Sequence, residues 1–460
     1  MFFLNLYVVE KFVYFFKCDN VKLLLMLSLT GMELFQTVKK RRLVKMGIRK
    51  LFSVSVTYLV VLFVTSLFMI PFVQAGPEEA LHLGATVAFQ SRIGIQLKNI
   101  LYMNADLLNK AGGLTVGGKT YRIEYHIYDD KYQADPARAA IEKLVFEDKV
   151  KFNVGTFASA STLAMLGVTE PNKIPIFGGA VSEKLLSPDV KYFVHCYPGK
   201  FSFTFLKTLK ELRPNIKNVI MCTYDDETGH SLVPPLEKAY KSFGIEPLPA
   251  LYFKHGETDF SRIATKVVSL RPDHFNLFGV MVEAENVQCI KALRQAGYKG
   301  TIEGYYISQH TVDEIVSKVG KEGAEGIHVG IFDPTFPGLK EIPEGAMDFR
   351  KNYEKYYGTW ETEGLQWAGS WYTWLAAVKR ADSLDPDKVI AAITKDFKVS
   401  TPVGQAKFFR RPDLGNNRYC DFATVVRSGV IQNGKIVFLF EKDADYAIGA
   451  IEDVYNMKMR

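Results

Sequence analysis

From Leu81 onward, apolar runs of strand length alternate with amphipathic stretches of helical period, and this alternation constrains the chain more than any other feature. HLGATVAF, YRIEYHIY, KFNVG and IPIFGG read as strands, separated by helices predicted over residues 95–110, 136–147 and 161–172. Asp135-Pro136 is placed to cap and open the second helix. A second run follows: strand 219–222, a helix ending near Phe243, strand 249–253, helix 260–270, FNLFG, helix 285–296 and TIEGYYI. Such alternation requires right-handed crossovers and parallel sheets covered on both faces. Two runs predict an α/β protein of two Rossmann-like, doubly wound lobes. Helices over 345–357 and 366–381, a further Asp-Pro helix start at Asp385-Pro386, and the strands DFATVV and KIVFLFE then complete a lobe begun much earlier.

Gly113 to Thr120, GLTVGGKT, satisfies the phosphate-loop pattern G-x-x-x-x-G-K-[ST]. The chemistry needs a strand before the loop and a helix after it, so that loop amides and the helix N-terminus face the anion. Here an amphipathic helix precedes and a strand follows. The segment is therefore read as a helix stop at Gly112 and Gly113 followed by a turn, and ATP is not expected as a ligand.

The net charge of +7 comes from the leader. Residues 1–75 hold ten Lys and Arg against Glu10, Asp19 and Glu33, so the remainder is balanced and nucleic acid is not an expected partner. Arg49 and Lys50, an uncharged apolar run over residues 51–70, and the small-residue ending Val73-Gln74-Ala75 have the layout of a secretory signal, with translation starting at Met46 and cleavage after Ala75. The run approaches bilayer-spanning length, so a retained N-terminal anchor is the alternative. Cys196, Cys222, Cys289 and Cys420 fit no compact disulfide framework or zinc pattern, and Cys222 reads as a small buried hydrophobe.

No G-x-G-x-x-G follows the first strand and no G-x-S-x-G elbow is present, so neither a nicotinamide cofactor nor a hydrolase triad is expected. His82, His126 and His274 fall in strands and read as structural or surface residues, with no metal assigned. Asp129-Asp130 and Asp225-Asp226 sit at strand ends, where they fit turn capping. The chain does not read as an enzyme. The loops that leave the third and fourth strands, GTFASAST and GGAVS, carry hydroxyls at Thr156, Ser159, Ser161, Thr162 and Ser182. At the carboxyl edge of a doubly wound sheet these suit a carboxylate or other small anion, and N-capping by Ser159 or Ser161 is the plainer use.

YHIYDDKYQADPARAAIEKLVFEDKVKFNVGTFASAST, preceded by NKAGGLTVGGKTY and followed by NKIPIFGGAVSEKL, resembles the type I periplasmic solute-binding proteins of the leucine/isoleucine/valine-binding family. LRQAGYKG, AEGI and STPVGQAKF extend the likeness across roughly residues 81–440. The resemblance implies residues 76–199 with 333–403 as one lobe and 200–332 with 404–460 as the other. Crossings are expected near Tyr197–Lys200, Val329–Pro334 and Thr401–Lys407. It implies a small-molecule solute held between the lobes, no cofactor, and delivery to an ABC permease; a sensor of a kinase or chemoreceptor is the alternative. Ser159, Ala180 and Ser182 match the first-lobe ligand clamp of the family, with Phe157, Arg92 and Tyr197 beside them. Arg92 could pair with a ligand carboxylate or remain a solvated loop charge. In the second lobe Thr228 stands where family members have tyrosine. Their next aromatic falls near Met281 or Val282, and their ammonium-binding glutamate near Tyr306, with Glu303 close by. These departures favour a small carboxylate, an amide or an unusual amino acid over leucine or valine.

Overall fold

Period-two alternation in β1 (Glu79–Val87) sends Leu81, Leu83, Ala85 and Val87 into one core and leaves His82, Gly84 and Thr86 on the other face. Helices close both faces, as the parallel strands require. The computed structural model describes residues 79–198, 201–304 and 308–460. The leader, with its expected start and cleavage site, and Tyr306 lie outside the described residues.

After β1 come α1 (Arg92–Lys110), β2 (Leu114–Val116), β3 (Lys119–Asp129), α2 (Ala134–Phe146), β4 (Phe152–Val154), α3 (Ser159–Thr169), β5 (Ile176–Gly178) and β6 (Phe193–His195). They form a six-stranded sheet of order β2-β3-β1-β4-β5-β6, parallel except for β2. GLTVGGKT is a β-hairpin here. Gly113 N–H donates to Leu108 O as α1 ends, and Gly117 and Gly118, both at positive φ, make the two-residue turn between β2 and β3. The strand β2 is too short and too polar to have been legible. Two expected caps differ. Gln133, not Asp135, precedes α2, and Asp135 sits in its first turn beside the helix dipole. Neither Ser159 nor Ser161 caps α3; Ala158 holds that position without a side-chain bond.

The second lobe carries α4 (Phe201–Leu212), β7 (Asn218–Tyr224), α5 (Glu227–Ser242), β8 (Glu246–Pro247), β9 (Leu251–Phe253), α6 (Ser261–Leu270), β10 (His274–Asn276), α7 (Glu283–Gln295), β11 (Thr301–Gly304), α8 (Gln309–Ala324) and β12 (His328–Gly330). In β7, Val219 and Met221 join the core that runs through both lobes, whereas Ile220, Cys222 and Tyr224 join one confined to the second. The C-terminal part adds α9 (Ala346–Tyr357), α10 (Gly369–Ala381), α11 (Pro386–Ala391), β13 (Lys398–Thr401), β14 (Gly404–Arg411), β15 (Asn416–Ala423), β16 (Val426–Gln432), β17 (Lys435–Lys442) and α12 (Ala444–Tyr455). Asp385 caps α11 through Lys388 N, as the Asp-Pro start predicts. The strand β16 joins the second sheet antiparallel to β12, and β17 pairs antiparallel to β16, giving β17-β16-β12-β11-β10-β7-β8 with β9 also on β7.

Residues 401–407, read above as the third crossing, belong to the β13–β14 hairpin, where Thr401 Oγ1 donates to Gly404 O. A separate sheet, β13-β14-β15, forms there, and the chain enters the second large sheet through Thr424 and Val425. Pro77–Arg460 is one compact unit. All four cysteines after the leader are buried and free. No helix among the described residues is long and apolar enough to cross a membrane.

Candidate functional site

In each large sheet the first strand lies between neighbours reached in opposite directions: β1 between β3 and β4, β7 between β10 and β8. Such switch points open a crevice at the carboxyl ends of the strands. In the first lobe that edge carries Ser91, Arg92, Tyr132, Phe157 and Ser159; in the second it carries Tyr224, Thr228, Met281 and Val282.

Ser159 opens α3, and its buried Oγ accepts hydrogen bonds from Val181 N and Ser182 N, both at 3.2 Å. This hydroxyl ties the two hydroxyl-rich loops together, with buried Ala180 between them. Ser159→Ala should therefore lower folding stability by about 1–2 kcal/mol, because two buried amides lose their acceptor. Chemical denaturation measures this, and an unchanged midpoint would contradict it. Ser182 reaches the other lobe: its Oγ donates to Glu227 Oε1 at 3.0 Å and accepts from Ser231 Oγ at 3.0 Å, while Lys184 Nζ lies 2.8 Å from Glu227 Oε2. Burial raises the Glu227 pKa, but Lys184, Ser231 and Ser182 outweigh it and hold the carboxylate below its usual range.

Deeper in the crevice an aromatic cluster bridges the lobes. Tyr197 stacks on Trp367 at 4.6 Å, and Phe157 sets its edge against Trp367 and Tyr132. From the second lobe His255 lies 4.8 Å from the Tyr132 ring and stacks on Tyr224 at 3.7 Å. Met281 Sδ accepts from Tyr132 OH at 3.0 Å, and Met281 O accepts from Ser91 Oγ at 3.4 Å. Gly179 permits this packing, since a Cβ there would meet the Trp367 ring at 2.3 Å. Tyr132 has φ +59°, a costly conformation for a bulky residue, and Asp130 Oδ1 holds it by accepting Tyr132 N at 2.8 Å. Asp226 likewise caps α5 through Gly229 N, so both acid pairs contribute turn caps.

A cavity of about 480 Å³ is lined among others by Arg92, Phe332, Trp360, Glu361 and Glu363. Arg92 Nη1 lies 3.6 Å from the buried Glu363 Oε1. Glu283, at the start of α7, belongs to the same electrostatic neighbourhood. Burial pushes its carboxyl up to about 7, Glu363 adds to the shift and Arg92 opposes it. Its Oε1 has no hydrogen-bond partner among the described residues.

Of the residues singled out from sequence, Arg92 lines the cavity, Phe157 and Tyr197 enter the aromatic cluster, and Ser159, Ala180 and Ser182 share the adjoining loops. Val282 N donates to Tyr224 OH, and Thr228 is fully buried with its Oγ1 unpartnered among the described residues. Glu303 lies elsewhere. It is buried in β11 with Oε2 2.8 Å from His274 Nε2; burial drives the carboxyl well up and the imidazole down to about 3. An acid buried inside the sheet and already paired with a histidine is a poor partner for a ligand ammonium. Sequence reading missed Tyr132, Tyr224, His255, Glu283, Glu363 and the cleft role of Trp367. The strained YDDKY turn was the one local signal for Tyr132.

Two α/β lobes whose carboxyl edges meet over a partly charged cavity define a ligand-enclosing binding protein. The sequence profile of the periplasmic binding proteins matches residues 88–430, and the chain belongs to that family. Similar solved structures share the fold. The leucine-binding protein LivK of Thermotoga maritima is 18% identical, with a TM-score of 0.64 over 80% of this chain and 99% of its own. A solute-binding protein of an ABC transporter from R. palustris, solved with benzoate, is 16% identical at TM-score 0.63 over 79% and 97%. Another from R. palustris, solved with 4-hydroxybenzoate, is 17% identical at TM-score 0.63 over 80% and 98%.

Proposed function

We propose that this chain is the extracytoplasmic solute receptor of an ABC importer and that it encloses a small organic carboxylate, amino acids included, between its lobes for delivery to a permease. The observation that carries this reading is the pairing of Arg92 and Glu363 on one cavity that Phe332, Phe336 and Trp360 also line. The guanidinium can take a carboxylate in bidentate fashion, and the rings suit an apolar body. Leucine, benzoate and 4-hydroxybenzoate, named for the similar proteins above, all carry a carboxylate. The cross-cleft bonds of Ser182, Lys184 and Glu227 give closure a physical form: a ligand that touches both lobes favours the state in which they form. Removal of residues 1–75 on export is part of the same proposal. No catalytic step is needed.

The test is a thermal-shift screen of ligand-stripped protein against amino acids, aliphatic and aromatic carboxylates, amides and ureas, followed by calorimetry on the hits. A ligand at 100 times its Kd adds about 2.7 kcal/mol of stability, enough to register. Arg92→Ala should weaken a carboxylate hit at least ~10-fold, since a charge-assisted hydrogen bond contributes about 1.5–3 kcal/mol. Hits confined to uncharged amides, or unchanged affinity in Arg92→Ala, would refute the carboxylate reading.

A further inference from the structure

The helix-covered face of the first sheet carries a side-chain cluster that solute binding does not use. β1 and β3 run parallel in a register that pairs His82 with Glu124 and Gly84 with His126. Glu124 and His126 are two apart on β3, so they share a face with His82. His82 Nδ1 and His126 Nε2 stand 2.9 Å apart, and Glu124 Oε2 is 3.7 Å from the same His82 nitrogen. Ligand atoms of the three residues all lie within 4.8 Å of one another. In tetrahedral zinc coordination, with ligand atoms at 2.0–2.1 Å from the metal, neighbouring ligand atoms sit roughly 3.3 Å apart. The separations here bracket that spacing.

A second observation concerns the other nitrogen of His126. Its Nδ1 points to Asp148, 3.5 Å from Oδ1, and Asp148 Oδ2 in turn accepts Tyr128 OH at 2.9 Å. This places a carboxylate behind a histidine whose Nε2 faces the shared centre, the arrangement that fixes tautomer and ring orientation in histidine–metal sites. Without metal, one imidazole N–H of the pair donates to the other ring. With metal, His82 moves its proton to Nε2 and both facing nitrogens offer lone pairs. The cluster is half-buried, so an ion reaches it from solvent, and water can complete the coordination.

We propose that His82, His126 and Glu124 form a binding site for a divalent transition-metal ion of the zinc type, with Asp148 as the positioning carboxylate. Imidazole nitrogens favour zinc, copper or nickel over calcium or magnesium. The site pins β1 to β3 at the edge remote from the ligand crevice.

The test is equilibrium dialysis of untagged, chelator-treated full-length chain against Zn²⁺, with metal analysis, and Ca²⁺ as the control. We expect one Zn²⁺ per chain and no Ca²⁺, and metal-free protein loaded with Co²⁺ should show tetrahedral visible absorption that added Zn²⁺ abolishes. His82→Ala and His126→Ala should abolish stoichiometric binding, and Asp148→Asn should weaken it 10- to 100-fold. Glu124→Gln, at a half-exposed position that folding tolerates, should weaken it at least ~10-fold while melting like wild type in chelator. Absence of stoichiometric zinc in the wild-type chain, or zinc retained unchanged by Glu124→Gln and the histidine variants, would overturn the proposal.

Discussion

Arg411→Met should destabilise the protein by about 3–5 kcal/mol, the largest single effect expected from a polar position. The guanidinium is fully buried at the end of β14. Its Nε and Nη2 grip Asp413 at 2.9 and 2.7 Å, Nη1 donates to Asp421 at 3.1 Å, and Nη2 meets Glu183 at 2.5 Å. Burial works against its charge, and the carboxylates outweigh burial, holding the pKa well above its ordinary value. Methionine fills similar volume but withdraws the guanidinium from Asp413 and Asp421, whose side chains are both buried, and a buried anion that loses a counter-charge is the costly half of a broken ion pair. His195 Nδ1 lies 2.6 Å from Asp421 Oδ1 and Phe422 N donates to the same oxygen at 2.9 Å, whereas Asp421 Oδ2 is the atom that Arg411 holds. The effect reaches the solute site too, because Glu183 follows Ser182 and also accepts Tyr455 OH from α12. Chemical denaturation should show the loss, and adding Asp421→Asn should recover part of it through a non-additive cycle. A loss below about 1 kcal/mol would mean that water or His195 already satisfies the carboxylates.

The sequence disclosed whatever depends on short-range period. The βα alternation, the helix stops and the Asp385 cap are local facts, and they sufficed to reject GLTVGGKT as a nucleotide loop. What required the fold was proximity between residues far apart in the chain. Phe157, Tyr197 and Trp367 converge only after a C-terminal helix returns to the first lobe, so the tryptophan spacing showed a helix face and not its position at the cleft. Glu363 faces Arg92 for the same reason. His82 and His126 looked scattered because strand register, not spacing, brings them together. From sequence Ser159 suits capping or ligand binding, and the fold replaces only the first: its oxygen accepts from the loop of Ser182 instead of capping α3, because a helix N-terminus and a neighbouring loop's amides compete for one oxygen and sequence does not rank them.

Glu283 should make the pH dependence of solute affinity report the chemical class of the solute. Its carboxyl rises from an ordinary 4.5 to about 7 in the folded chain. A folded pKa above the unfolded one means that its stabilising contribution is full below about 4.5 and is lost as pH rises through 7. At 1.36 kcal/mol per unit the loss approaches ~3 kcal/mol by pH 8. Glu283→Gln removes the titration while preserving shape, so the variant should gain on wild type in denaturation midpoint between about pH 5 and pH 8; parallel profiles would show that Glu283 is not held protonated. The same proton responds to the solute. A ligand ammonium near Glu283 and Glu363 favours the ionised carboxylate, so an amino acid should bind more tightly as pH rises through 7. A plain carboxylate placed on Arg92 gains nothing from a second anion nearby and should bind more tightly as pH falls. In Glu283→Gln both slopes should flatten. Calorimetry of one confirmed ligand at pH 5.5, 7 and 8.5 therefore separates an amino-acid receptor from a carboxylate receptor by the sign of a slope, and a slope that survives Glu283→Gln would assign the proton to another group.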